Sequence, residues 1–101
     1  MIILSASASI LTTADAGDFL RAAFKDASAR THDPELADQY RDVLGHLQEQ
    51  LGFRGWLCTV RYYGWGWTQE EIAPDLQVSK ATIQRDLERA RRLASEFIGR
   101  E

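Results

Sequence analysis

The chain reads as an all-α protein of about five helices, with a short extended arm at its start and a helix-turn-helix at its C-terminal end. Three observations lead there. Beyond the first dozen residues, apolar side chains return every three or four positions, the spacing of one helix face. Residues suited to cap helices stand before those runs, and Thr68 to Glu71 spell a reciprocal cap. Only one stretch, near the start, alternates with the period of a strand, and no second one is present to pair with it. Residues 1–12 are therefore expected to form an arm and residues 13–101 one helical domain, with the helix-turn-helix at 68–98.

Composition bounds the function. A chain of 101 residues has room for one core, and 45% apolar with 27% charged residues is the balance of an ordinary globular protein. Cys58 is the single cysteine, which excludes an internal disulfide, and with only His32 and His46 beside it no zinc-ligand spacing can be assembled. A cytoplasmic location is the simple expectation. The opening "MIILSASASIL" has no Lys or Arg before its apolar run and falls short of a membrane span, so it is read as part of the mature protein. No nucleophile-plus-base pair, glycine-rich phosphate loop or carboxylate cluster points to an enzyme, and no cofactor or metal is expected.

In the arm, "LSASASI" places Leu4, Ala6, Ala8 and Ile10 on one side and three serines on the other. It is read as flexible, as coil over its own core, or as paired with another subunit. "DAGDFLRAAFKDASAR" follows, with Thr13 or Asp15 as cap and Phe19, Leu20, Ala23, Phe24 and Ala27 on one stripe. In "HDPELADQYRDVLGHLQEQLG", Asp33 caps, Pro34 takes the first helical position where its missing N–H costs nothing, and Gly52 is placed to stop the helix. Leu36, Tyr40, Val43, Leu44, Leu47 and Leu51 are its inward face, and His46 is read as a boundary histidine. "FRGWLCTVRYYG" stays open between strand and helix, because Trp56, Val60 and Tyr63 form a helical stripe in a segment whose composition also suits a strand. Its aromatic residues, with Trp65 and Trp67, are read mainly as packing, and Cys58 among them as a small buried apolar residue.

"TQEE" is a capping box that starts a short helix carrying Ile72, Ala73 and Leu76 inward. The chain breaks at "QVS", and Ser79 is placed to cap a second helix reaching about Ile98. Ala73 allows the two helices to cross closely, Val78 plugs the turn, and Ile83 and Leu87 hold the second helix down. At about 100° per residue, Ile83, Leu87, Ala90, Ala94 and Phe97 gather on one side, while Ala81, Gln84, Arg85, Glu88 and Arg92 lie opposite. From Ser79 to Arg92 there are five basic residues against Asp86 and Glu88, so an acidic chain of net charge −3 carries one local basic face. "RDLERARR" alone is also the pattern of a solvated face with Glu88 and Arg92 paired. The capping box, the break and the second cap favour a surface that reads DNA.

The run "EEIAPDLQVSKATIQRDLERARRLA" resembles the DNA-binding fourth region of bacterial sigma factors and the related four-helix helix-turn-helix regulators. The resemblance covers Gly64 to Leu93 and extends more weakly back to Pro34. It implies helix for "WLCTVRYY", and a cytoplasmic DNA-binding role of bacterial or phage type. Two departures stand out: Gln77 occupies the turn where those families carry Gly, and Pro74 falls inside the first helix of the motif, where a kink or an early end is expected. Nothing resembles the promoter-melting and core-binding regions of a complete sigma factor, and no room is left after the second helix for a β-wing.

The leading expectation is a transcriptional regulator that inserts the helix starting at Ser79 into the major groove of double-stranded DNA. Gln84 and Arg85 would meet base edges, Ala81 and Glu88 share that face, and Lys80, Thr82, Arg89 and Arg92 would meet phosphates. Thr68 and Gln69, at the start of the preceding helix, complete the DNA-facing set. One such module makes few phosphate contacts, so a homodimer or docking on a larger transcription complex such as RNA polymerase is expected. The acidic first half, with four basic and eight acidic residues in 1–50, is the natural place for that contact. The alternatives are a sigma-like protein-interaction module on RNA polymerase or another regulator, and a DNA-packaging subunit resembling phage small terminases.

Overall fold

The structure, a computed structural model, describes residues 13–29 and 33–99. They are helical, without a β-strand: α1 (Thr13–Ala29), α2 (Pro34–Thr59), α3 (Gln69–Leu76) and α4 (Lys80–Gly99). The expectations for the arm 1–12 and for the side chains of Thr13, Asp15 and Ala27 lie outside the described residues.

Four α-helices stand where about five were expected, and the difference lies at Gly52. The α2 span of 26 residues holds two helical stretches that meet at a kink, and the backbone of Gly52 between them is non-helical, at φ 76° and ψ 175°, so the helical run is interrupted where the sequence places its stop. That region is open essentially to glycine alone. The start of α2 follows the sequence closely. Asp33 Oδ1 accepts from the N–H groups of Glu35 at 3.0 Å and Leu36 at 3.3 Å, with Pro34 behind it. "WLCTVRYY" is helix rather than strand, and leaves α2 through a π turn over Val60–Gly64, in which the Trp65 N–H donates five residues back to the Val60 carbonyl at 3.0 Å.

The core is one cluster. It takes Ala16 and Leu20 from α1, Val43, Leu47, Leu51 and Cys58 from α2, and Tyr63 from the π turn. Ile72 and Ala73 enter from α3, and Ile83, Leu87, Ala90, Ala94 and Ile98 from α4. Phe97, placed inward by its spacing, is half-buried instead and stacks on the boundary residue His46 at 4.6 Å, while Ile98 takes the buried position. α4 packs against all three other helices. It is the post around which the domain is assembled.

The buried hydroxyls find partners, whereas Arg61 Nη1 is buried without a hydrogen bond. Thr59 is fully buried and its hydroxyl donates to the Gly55 carbonyl at 2.8 Å, one turn back along its own helix. Tyr63 is buried with its hydroxyl accepting from Arg91 Nη1 at 2.8 Å. Burial pushes the Tyr63 phenol up from its ordinary pKa, against the pull of that guanidinium. Arg61 forms an ion pair with Asp75 at 2.9 Å and lies over the rings of Trp65 and Trp67, 5.1 and 5.7 Å from their centroids. That pair fastens the π turn to α3.

Candidate nucleic-acid interface

α3 begins with the reciprocal cap the sequence predicts. Thr68 N–H donates to Glu71 Oε1 at 2.8 Å, and Glu71 N–H donates to Thr68 Oγ1 at 3.2 Å. Pro74 removes one backbone hydrogen bond, yet the helix runs past it to Leu76, where the sequence places the turn, so the expected kink or early end is not seen. The turn is then closed by Gln77 in the left-handed conformation, φ 59° and ψ 45°. Its N–H donates to the Pro74 carbonyl at 3.2 Å and the Val78 N–H to the Ala73 carbonyl at 3.0 Å, the two bonds of a Schellman end. The side chain of Val78 is half-buried against the core, plugging the turn. Gln77 thus does a glycine's task at a glycine's position, with its Cβ as the cost.

Ser79 starts α4 by accepting from the Thr82 N–H at 3.1 Å, its hydroxyl 3.0 Å from that of Thr82. With Ile83, Leu87, Ala90 and Ala94 locked in the core, the opposite side of α4 is left to solvent. Ala81, Gln84, Arg85, Glu88, Arg89 and Arg92 are all exposed there, as the spacing requires. The structure therefore brings most of the predicted residues to one continuous face. Thr82 is half-buried beside it and committed to the Ser79 cap.

Several of the cations are already engaged. Lys80 Nζ lies 2.6 Å from Glu70 Oε2, joining the first turn of α4 to the first turn of α3, and that hydrogen bond holds the Glu70 carboxyl below the usual carboxylate range. Arg89 Nη2 donates to the Gln50 carbonyl at 3.0 Å. Arg54 grips Asp86 with two hydrogen bonds, 3.0 and 3.2 Å, which keep its guanidinium pKa above the ordinary value. Arg91, one of the five basic residues counted from the sequence, turns inward to Tyr63. Arg85 and Arg92 are the exposed arginines best placed for a ligand, and Arg85 makes only a long 3.4 Å contact with Thr82.

Beside the face, a cleft of about 420 Å³ separates the start of α3 from α1. Thr68, Gln69, Lys80 and Gln84 line it, and Arg21 and Tyr62 form its far wall. The Gln69 carboxamide oxygen is enclosed without a hydrogen-bond partner. Sequence reasoning missed Arg21, Arg54 and the exposed Phe53. Arg54 meets Asp86 across 32 residues, a separation that no local spacing reveals.

Among the described residues, no group of three or more His, Cys, Asp or Glu side chains is placed to hold a metal ion, and no helix is long and apolar enough to cross a membrane. Searches against known protein families, curated proteins and solved structures give no match.

Proposed function

We propose that this chain is a DNA-binding transcriptional regulator of bacterial or phage type, in which α3 and α4 act as a helix-turn-helix and α4 enters the major groove. The observation that carries this reading is the face of α4. Its exposed Ala81, Gln84, Arg85 and Arg92 oppose a fully buried stripe, behind a short capped helix and a left-handed turn. Such a face offers the chemistry that base edges require. Arg85 can fork onto guanine, Gln84 onto adenine, and Ala81 can approach a thymine methyl. Lys80, Arg89 and Arg92 are then phosphate contacts, and Thr68 and Gln69 face the backbone from the start of α3. Lys80 reaches a phosphate only by leaving Glu70.

The test is a salt-dependent titration of fluorescent duplexes, a random pool beside the DNA upstream of the gene, with wild type and Arg85→Ala. Tighter binding to one duplex, weakened about tenfold or more by the substitution, is the expected result. Equal curves for both proteins on every duplex would sink the proposal.

A second reading has one observation in its favour. Trp65 is 57% exposed and sits edge-on to Trp67 at 5.5 Å, an aromatic pair of the kind that anchors protein interfaces. On that reading the domain docks on RNA polymerase or another regulator, in the cytoplasm, as a homodimer or a single copy. Polymerase subunits that co-purify after nuclease treatment, and are lost with Trp65→Ala, would favour it.

A further inference from the structure

The cleft beside the outward face of α4 has one wall that the helix-turn-helix does not supply. Lys80 and Gln84 line one side of it, four residues apart on a single edge of α4, and Arg21 of α1 stands across from them with Tyr62. Arg21 is exposed, and its guanidinium carbon lies 5.6 Å from the ring centroid of Tyr62 and 5.3 Å from that of Tyr63. Two uncharged rings hold this cation in place without neutralising it. Among the described residues, Arg21 forms no ion pair. Glu70 is the one carboxylate that lines the cleft, and it is taken by Lys80 at 2.6 Å. The cleft is left with an uncompensated positive charge, that of Arg21.

We infer that Arg21 is a phosphate contact supplied from outside the helix-turn-helix, its guanidinium clasping the DNA strand that runs along the edge of α4 bearing Lys80 and Gln84. This rests on the DNA-reading assignment of α4. A helix with its side chains is about 10–12 Å across and the major groove about 12 Å wide, so a helix seated there has a phosphate strand against each of its edges. The edge with Lys80 and Gln84 borders the cleft, which sets one strand over the cleft mouth with Arg21 on its far side. Packing over ring faces leaves the edge N–H groups of the planar guanidinium free to fork onto two phosphate oxygens. The rings also order the side chain in advance, so less rotamer freedom is lost when the strand arrives. The acidic first half of the chain thus supplies the duplex with a cation of its own, from a helix that takes no part in reading bases.

The experiment uses the full chain with two duplexes, the DNA upstream of the gene and a random pool, read by fluorescence anisotropy at four salt concentrations for wild type, Arg21→Ala and Arg21→Lys. Arg21→Ala is expected to weaken binding about fivefold at the lowest salt, by the same factor on both duplexes, because a phosphate contact carries no sequence information. Its slope of log affinity against log salt falls by about one, the share of a single phosphate. Arg21→Lys keeps the charge and therefore the wild-type slope. Arg21→Ala with wild-type affinity and slope overturns the inference, and so does a loss confined to the upstream duplex, which would make Arg21 a base contact. Arg21→Lys with the reduced slope of Arg21→Ala overturns the charge assignment, and a melting transition lost in both variants assigns Arg21 to packing on the tyrosines instead. Wild type that binds neither duplex overturns the DNA reading and the inference together, whereas wild type that binds while Arg21→Ala binds equally well overturns the inference alone.

Discussion

Gln77 is the residue at which local chemistry and required geometry disagree most. A left-handed backbone costs an L-residue about 1 kcal/mol that glycine does not incur, and glycine returns part of that gain through its looser unfolded state. Gln77→Gly should stabilise the domain by roughly 0.5 kcal/mol, a rise of about 2–4 °C in calorimetry, with unchanged helix content. A drop would mean that the Gln77 side chain has a partner worth more than the strain. Cys58 makes a separate prediction about alkaline pH. Desolvation pushes its thiol from an ordinary 9.0 up to about 12, so the folded state keeps the proton where the unfolded chain has lost it. The stability this confers is complete below pH 9 and drains away as pH rises toward 12. Urea midpoints measured across that window should fall for wild type and fall less for Cys58→Ala. The same burial makes Cys58 inert to thiol reagents in the native state, with labelling that tracks unfolding.

Among the elements, α3 is the one held by its ends. Eight residues with a proline inside make a helix too short to persist alone, so the Thr68–Glu71 cap and the Schellman end carry much of its local stability. Thr68→Ala should cost about 1 kcal/mol in denaturant unfolding, and Glu71→Ala a comparable amount. Made together they should cost less than their sum, since each leaves the other half of the box without its partner. Gly52→Ala tests α2: a Cβ forced to φ 76° and ψ 175° should cost about 1–3 kcal/mol or straighten the helix. These elements also mark what could be read in advance. Asp33 with Pro34, Thr68 with Glu71, and Ser79 with Thr82 were legible because each device acts within three residues. Arg54 with Asp86, Arg91 with Tyr63, and Arg21 across the cleft were not, because those contacts exist only after helices distant in sequence have packed. Gly52 was legible as a break in the helix, and the backbone there is non-helical; that a second helical stretch follows at once, with no loop between, was not legible. Phe97 was placed inward by spacing, yet Ile98 is the buried residue and Phe97 is half-buried on His46, a contact between helices that the spacing of α4 alone does not show.

At the scale of the whole molecule, the ion pair between Lys80 and Glu70 sets a trade between fold and ligand. Both side chains are solvated, so its contribution to stability is small. Glu70→Gln frees Lys80 and removes a negative charge from the rim of the proposed interface. It should tighten duplex binding several-fold at low salt, while Lys80→Ala should weaken binding and reduce the salt slope by about one. Unchanged affinity in both variants would place Lys80 outside the contact.

α4 packs against every other helix of the domain while its far side faces outward. The same twenty residues serve as central post and as exposed face, so this face should show no melting transition of its own. Its backbone amides between Ile83 and Ala94 should exchange with deuterium only when the entire chain opens, at one shared rate. A ligand held by that face would slow exchange in α2 as much as in α4 itself, protecting a helix it never touches.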